Sequence, residues 1–343
     1  MATPVSLTPR PVAASVDELF EGASARRPFR TDDARATVAF EQVEVDGQRC
    51  VVKYVHPDDD FTLRVTGDIG CRPLRVWASG LMDLAPDVID HATLGVAPWG
   101  RNGWGAAVLM RDVGDALVPP GDEPVDEARH LAYLDHLAAF AACSWGWVDD
   151  LDLLPHRLRW GLFGIDQLAG EADLGYPEAV PRIAAHGWSR FRDLAPRDIA
   201  AVVDQLRRDP LPLSRALKAT PSCFLHGDWK FGNLGTGADG RTILIDWALS
   251  GEGPVGHELA WYLALNRARL PVGHTKESSI DAFRGALEGH GVTTDGWWDA
   301  QLELCLLGAL VEFGWEKALG DDEDARAELG WWVEAARPGG RRL

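Results

Sequence analysis

The spacing of apolar residues changes about a third of the way along this chain. Residues 1–34 are rich in Pro, Ala, Arg and Ser and show no period. From Thr37 the pattern becomes that of strands. "TVAFEQVEVDGQRCVVKYV" reads as two strands joined by Asp46-Gly47, a pair that favours tight hairpin turns. The second strand carries Lys53 among Val51, Val52 and Val55. "RPLRVWASGLMDLA" has helical spacing at Leu74, Trp77, Leu81 and Leu84, with Pro86 as its stop. "GWGAAVLMRDV" (103–113) reads as a buried strand. "GDALVPPGDEPVD" then forms a Pro/Gly connector and marks a boundary.

Beyond the connector the pattern is mainly helical. "DEARHLAYLDHLAAFAACSW" predicts a long helix with Leu131, Leu134, Leu137 and Phe140 on one side. Further helical spacing appears near residues 197–206, 256–269, 280–290, 297–319 and 324–336. The β signals here are "CFLHG" and "RTILIDW". No internal repeat is present. The expected architecture is α+β: a β-rich part over 1–113, then a larger helical part over 114–343 holding one short hairpin. Among 15 tryptophans, several fall in the last third, which suggests core packing or an aromatic pocket.

Composition narrows the function. Hydrophobic residues are 46% and charged residues 25% of 343, as in ordinary globular proteins. The N-terminus lacks a basic start followed by an apolar run, so no secretory signal is read. The most apolar later stretch, "QLELCLLGALVEFGW", is broken by Glu303 and Glu312 and reads as a buried helix, not a membrane span. Five scattered cysteines without a C-x-x-C pair fit a reducing, cytoplasmic setting and no disulfide framework or zinc site. A net charge of −18 disfavours nucleic acid and weakly favours a cationic small molecule. No membrane and no obligate protein partner are expected.

The chemistry concentrates in "CFLHGDWKFGNLGTGADGRTILIDWALSGEGPVGHELAW" (223–261). Its G-x-G-x-x-G string, Gly235, Gly237 and Gly240, precedes a strand instead of a helix, so it reads as a hairpin loop. No G-x-S-x-G accompanies His226 and Asp228, and no H-E-x-x-H is present. The remaining pattern is His226-Gly227-Asp228-x-x-x-x-Asn233, followed thirteen residues later by Asp246. This spacing parallels a phosphoryl-transfer loop. Such a loop needs a carboxylate to take the proton of an acceptor hydroxyl, and oxygen ligands for a magnesium ion on the donor phosphates. Lys53 reads either as a phosphate-pairing lysine or as an extended edge-strand side chain.

His226-Gly227-Asp228-Trp229-Lys230-Phe231-Gly232-Asn233, Ile245-Asp246-Trp247, Gly253-Pro254 and Glu258-Leu259-Ala260 together resemble the aminoglycoside phosphotransferase (choline kinase-like) family. The resemblance covers the chain from about Ala36 to the C-terminus and is specific from Phe224 to Trp261. It implies a two-lobe, protein-kinase-like fold with a nucleotide-binding first lobe. It implies Asp228 as catalytic base, Asn233 and Asp246 as Mg2+ ligands, and Lys53 on nucleotide phosphate. Arg111 and Val113 are the expected backbone contacts for the base of ATP or GTP. Glu258 is expected to brace the catalytic loop.

Two departures stand out. No glycine pattern marks the expected phosphate cover, Ser24 to Arg35. No glutamate falls between Asp68 and Leu84 to hold Lys53, which leaves Asp68 and Asp83 as candidates. The chain also lacks D-F-G, A-P-E and room for an activation loop, so the acceptor is expected to be a small hydroxyl compound such as an antibiotic, amino sugar or choline-like alcohol. Antibiotic resistance is a hypothesis that rests on the resemblance. The alternative is a catalytically weak or inactive kinase-like nucleotide-binding protein.

Overall fold

The computed structural model describes residues 7–29, 39–176, 178–266 and 269–343. Ten strands are present among them: β1 (Ala23–Phe29), β2 (Ala39–Val45), β3 (Gln48–Val55), β4 (Ile89–Asp90), β5 (Thr93–Trp99), β6 (Gly105–Arg111), β7 (Ser222–Leu225), β8 (Leu234–Thr236), β9 (Thr242–Leu244) and β10 (Gly251–Pro254). Five form an antiparallel sheet in the order β1-β2-β3-β6-β5. A larger, mostly helical part follows, into which two small sheets, β4-β9-β8 and β10-β7, are set.

The β2–β3 hairpin forms as the sequence predicts. Asp46 and Gly47 both take positive φ, 50° and 79°, which matches the right-handed twist of the flanking strands. Alternation along β3 sorts its side chains onto two faces. Cys50, Val52 and Tyr54 join Phe20, Val43, Ala107 and Leu109 in a small outer core. Val55, Val108 and Met110 belong to the main core on the other face, where Lys53 also lies. Since β3 pairs with both β2 and β6, Lys53 is on a central strand, and the edge-strand reading is excluded.

Several elements were not legible in the periodicity. All seven positions of β1 are exposed or half-buried, with no apolar alternation, and it contains Pro28. It takes up Ser24–Phe29 of the expected phosphate cover; residues 30–35 of that segment, like Thr37 and Val38, lie outside the described residues. β5 contains Gly95 and Pro98 and bulges between Thr93 and Gly95. The helix at 72–84 is shorter than its spacing suggests. It runs Arg72–Ser79, stops at Gly80 with φ 80°, and continues as a 3-10 turn, Leu81–Leu84.

The connector is pinned to the second part. Leu117 bridges Gly235, and Val118 N–H donates to Leu234 O at 2.8 Å. A side chain at Gly235 would put Cβ 2.6 Å from Ala116 O, so this glycine lets the connector approach the hairpin. The helix Glu127–Cys143 starts at Asp126, whose carboxylate accepts from Arg129 N–H. Its buried face includes Tyr133, Leu134, Leu137 and Phe140, whereas Leu131, expected on that face, is exposed. The helix Trp298–Lys317 is buried nearly throughout and forms the spine of the helical part. Trp298, Trp315 and Trp332 are buried core residues. Among the described residues no helix is long and apolar enough to cross a membrane.

Candidate active site

The candidate residues converge between the five-stranded sheet and the two small sheets. β7 delivers the loop 226–233, and β9 delivers Asp246 two residues beyond its last residue. The loop is fixed by hydrogen bonds at nearly every position. His226 Nε2–H donates to Ile245 O at 3.1 Å, while its Nδ1 accepts Asp228 N–H at 3.2 Å. These two bonds demand a neutral imidazole with the proton on Nε2. Burial agrees, since it pulls the His226 pKa down to about 3.

Gly227 has φ 87°, and a Cβ there would lie 2.1 Å from Leu249 O. Only glycine fits both the dihedral and the space. Its N–H donates to Glu258 Oε1 at 2.5 Å, which is the bracing contact expected of Glu258. Burial raises the Glu258 pKa to about 7, against the opposing effects of the Gly227 bond and Arg159.

Asp228 is buried and accepts three hydrogen bonds. Trp261 Nε1–H donates to Oδ1 at 2.9 Å; Lys230 Nζ and Asn233 Nδ2 donate to Oδ2 at 2.7 and 2.8 Å. Burial raises its pKa, partly offset by Lys230. The Asn233 amide also donates to Asp228 O at 3.0 Å. With its nitrogen so used, the Asn233 side-chain oxygen is the atom left for a cation. Ile245 N–H donates to Asn233 O at 3.1 Å and ties the two loops together.

Lys53 Nζ lies 2.8 Å from Asp246 Oδ1. Burial opposes the charge on Lys53, but Asp246, with Asp60 and Asp228 behind it, outweighs burial and raises the Lys53 pKa. Burial likewise opposes ionisation of Asp246; Lys53 outweighs it and holds Asp246 below the usual carboxylate range. Asp246 also takes φ 71°, an uncommon backbone for a non-glycine residue. Val55, Val108, Met110 and Trp247 line an apolar cavity next to this pair.

The acid near Lys53 is not one of the two candidates from the sequence. Asp68 accepts Arg72 N–H at 2.8 Å and pairs with Arg75 at 3.0 Å, and Asp83 pairs with Arg10. The helix Arg72–Ser79 instead begins with a buried arginine, whose Nε donates to Ala248 O at 2.6 Å. Asp60 stands near Lys53. It caps the helix Phe61–Val65 through Leu63 N–H, and burial raises its pKa to about 6, with Lys53 opposing. Its cap position before Phe61 was readable, but "HPDDDF" offers three adjacent aspartates and no way to choose among them. Trp261 was also missed, because one tryptophan among many carries no positional signal.

At the end of β6, Arg111 N–H donates to Ala92 O at 3.0 Å and its guanidinium pairs with Asp90. Val113 O accepts from Ala116 and Leu117 N–H at 2.9 and 3.2 Å. What these two residues retain for a ligand is therefore not the Arg111 N–H and not a free Val113 carbonyl.

A buried lysine paired with a half-buried aspartate thus faces a loop that carries an aspartate and an asparagine, groups of the kinds that phosphoryl transfer uses. The chain belongs to the phosphotransferase enzyme family, whose model matches residues 85–288. Its fold is that of small-molecule kinases. The microcompartment-associated aminopropanol kinase is 13% identical, with 95% of this chain and 92% of that chain covered and a TM-score of 0.50. LicA in complex with AMP is 11% identical, with 94% and 97% covered and a TM-score of 0.51. The choline kinase LicA from Streptococcus pneumoniae gives 10% identity, 94% and 98% coverage and a TM-score of 0.49. No curated protein sequence matches the chain.

Proposed function

We propose that this protein transfers the terminal phosphate of ATP or GTP to a hydroxyl of a small molecule. The observation that carries this reading is the convergence of two pairs, Lys53 with Asp246 at 2.8 Å and Asn233 with Asp228 at 2.8 and 3.0 Å, on loops tied together by the bond from Ile245 N–H to Asn233 O at 3.1 Å. Asp228 takes the proton of the acceptor hydroxyl and aligns that oxygen with the phosphate. Lys53 pairs with the donor phosphates. The Asn233 side-chain oxygen and the Asp246 carboxylate suit Mg2+, a hard cation that favours oxygen ligands and completes its shell with phosphate and water. When bound, it neutralises charge on the donor phosphates. The nucleotide base lies at the hinge by Arg111 and Val113, between a nucleotide-binding lobe (1–113) and an acceptor-binding lobe (114–343).

Acceptors in reach of this reading are amino alcohols, choline-like alcohols, amino sugars and aminoglycoside or related antibiotics; the net charge of −18 favours cationic ones. A cytoplasmic enzyme that inactivates such an antibiotic is one form of this activity. The test is a panel of these compounds with Mg·ATP and Mg·GTP, scored by ADP or GDP release. Acceptor-dependent release supports the reading. Nucleotide binding without release from any acceptor favours a binding protein that keeps the fold.

A further inference from the structure

Asp246 is aimed by a turn whose carbonyls are held by side chains. Ile245 O accepts from His226 Nε2–H at 3.1 Å, Trp247 O from the Ser250 hydroxyl at 3.0 Å, and Leu249 O from Arg159 Nη1 at 3.2 Å. These three holders belong to the helical part. Ala248 O is held from the other side. It accepts at 2.6 Å from Nε of Arg72, the first residue of the helix Arg72–Ser79, which packs on β5 and β6.

Arg72 is itself fixed. Its side chain is 1% exposed. Nη2 donates to Thr66 Oγ1 at 2.5 Å, and the Thr66 hydroxyl in turn donates to Thr62 O at 2.6 Å. Asp68 Oδ2 lies 3.5 Å from Nε and accepts the Arg72 N–H at 2.8 Å. Burial works against the charge on Arg72, and Asp68 opposes that effect. An apolar residue at such a site would avoid the cost of burying an ion. What the guanidinium adds is the bond to the turn after Asp246.

We propose that Arg72 is a positioning residue for the metal on the donor phosphates: it fixes the turn that aims the Asp246 carboxylate. This rests on Asp246 being a ligand of that metal. In the free protein Lys53 holds Asp246 at its carboxylate. A metal on that carboxylate and a phosphate near Lys53 both draw on this pair. The Arg72 bond uses the backbone instead, so it persists in the loaded site. Asp246 needs such a hold because φ 71° is disfavoured for a residue with a side chain. Without it the turn can relax and carry the carboxylate away.

Arg75 supplies an internal comparison. It also pairs with Asp68, at 3.0 Å, and also donates to carbonyls of the helical part, Leu151 O at 3.0 Å and Asp152 O. It ties the same two parts together without reaching the turn after Asp246.

The test needs no acceptor. AMP-PNP and GMP-PNP are titrated calorimetrically across a Mg2+ series, with EDTA as the metal-free point. The proteins are wild type, Arg72→Met, Arg72→Lys, Thr66→Val and Arg75→Met. In Arg72→Met the Mg2+ concentration that half-saturates the gain in nucleotide affinity should rise roughly 10–100-fold, as when a residue that orients a metal ligand is lost. Metal-free affinity should barely change. Arg72→Lys should recover part of the loss, since an ammonium can still donate to Ala248 O. Thr66→Val, which loosens the guanidinium but keeps its charge, should give a smaller rise. Arg75→Met should lower the melting temperature without moving the Mg2+ dependence. An unmoved Mg2+ dependence in Arg72→Met, or an equal shift in Arg75→Met, overturns the proposal and leaves the kinase reading intact. If Arg72→Met does not fold, Arg72→Lys and Thr66→Val decide by the same measure, and no shift in either overturns it. Wild-type nucleotide binding that ignores Mg2+ removes the metal role of Asp246 and the proposal with it. A wild type that binds neither nucleotide overturns the functional reading as well.

Discussion

The Lys53 ammonium and the Asp246 carboxylate meet at 2.8 Å, one from the central strand of the first sheet and the other from the end of a hairpin in the helical part. Each is held charged by the other, Lys53 in a buried place and Asp246 in a half-buried one. Removing one partner strands the other. Lys53→Met should therefore cost about 3 kcal/mol of stability and weaken nucleotide binding. Asp246→Ala should abolish Mg2+-dependent nucleotide binding and turnover. Thermal melts with and without Mg·ATP or Mg·GTP read both effects. Normal nucleotide stabilisation in a folded Asp246→Ala protein refutes the metal-binding role.

Asp228→Asn keeps the shape of the side chain and can still accept from Trp261, but it cannot take a proton. Turnover should fall roughly 10²–10⁴-fold, with nucleotide affinity nearly unchanged. An asparagine that retains most of the activity would show Asp228 to be a loop cap and not the base. Turnover and nucleotide affinity are measured on the same folded variant.

Gly227→Ala tests how rigidly the loop is built. Alanine is strained at φ 87°, and its Cβ would be forced against Leu249 O. A loss of about 3 kcal/mol is expected in chemical denaturation, with turnover impaired even where the protein folds. A variant as stable as wild type would mean the loop can relax, contrary to the packing described.

His226 supplies a pH signature. Its pKa is about 3 in the folded protein and near its ordinary value of 6.5 in the unfolded chain. Below pH 6.5 the unfolded chain takes up a proton that the native imidazole refuses. The contribution of His226 to stability is thus fully present above pH 6.5 and is lost as pH falls toward 3. The stability difference between wild type and His226→Asn should shrink by about 1 kcal/mol per unit between about pH 6 and 4. Denaturation curves across that range check it, and a pH-independent difference contradicts a buried neutral histidine.

The sequence alone determined what local rules and short spacings can determine. Asp46-Gly47 dictates a tight hairpin, and alternation in the strand that follows puts Lys53 on the face opposite Val52. The interval from His226 to Asn233 defines one loop, and the apolar run before Asp246 defines its mount. β1 and β5 were illegible because an exposed edge strand and a Gly/Pro-containing strand owe their existence to pairing partners, not to their own pattern. Only the tertiary structure could choose Asp60 among three adjacent aspartates, or Trp261 among 15 tryptophans, because charge–charge distance and a hydrogen bond across 33 residues have no sequence period. It also gave Asp68 and Asp83 to nearby arginines, an outcome of which side chains reach each other once the helix Arg72–Ser79 has packed.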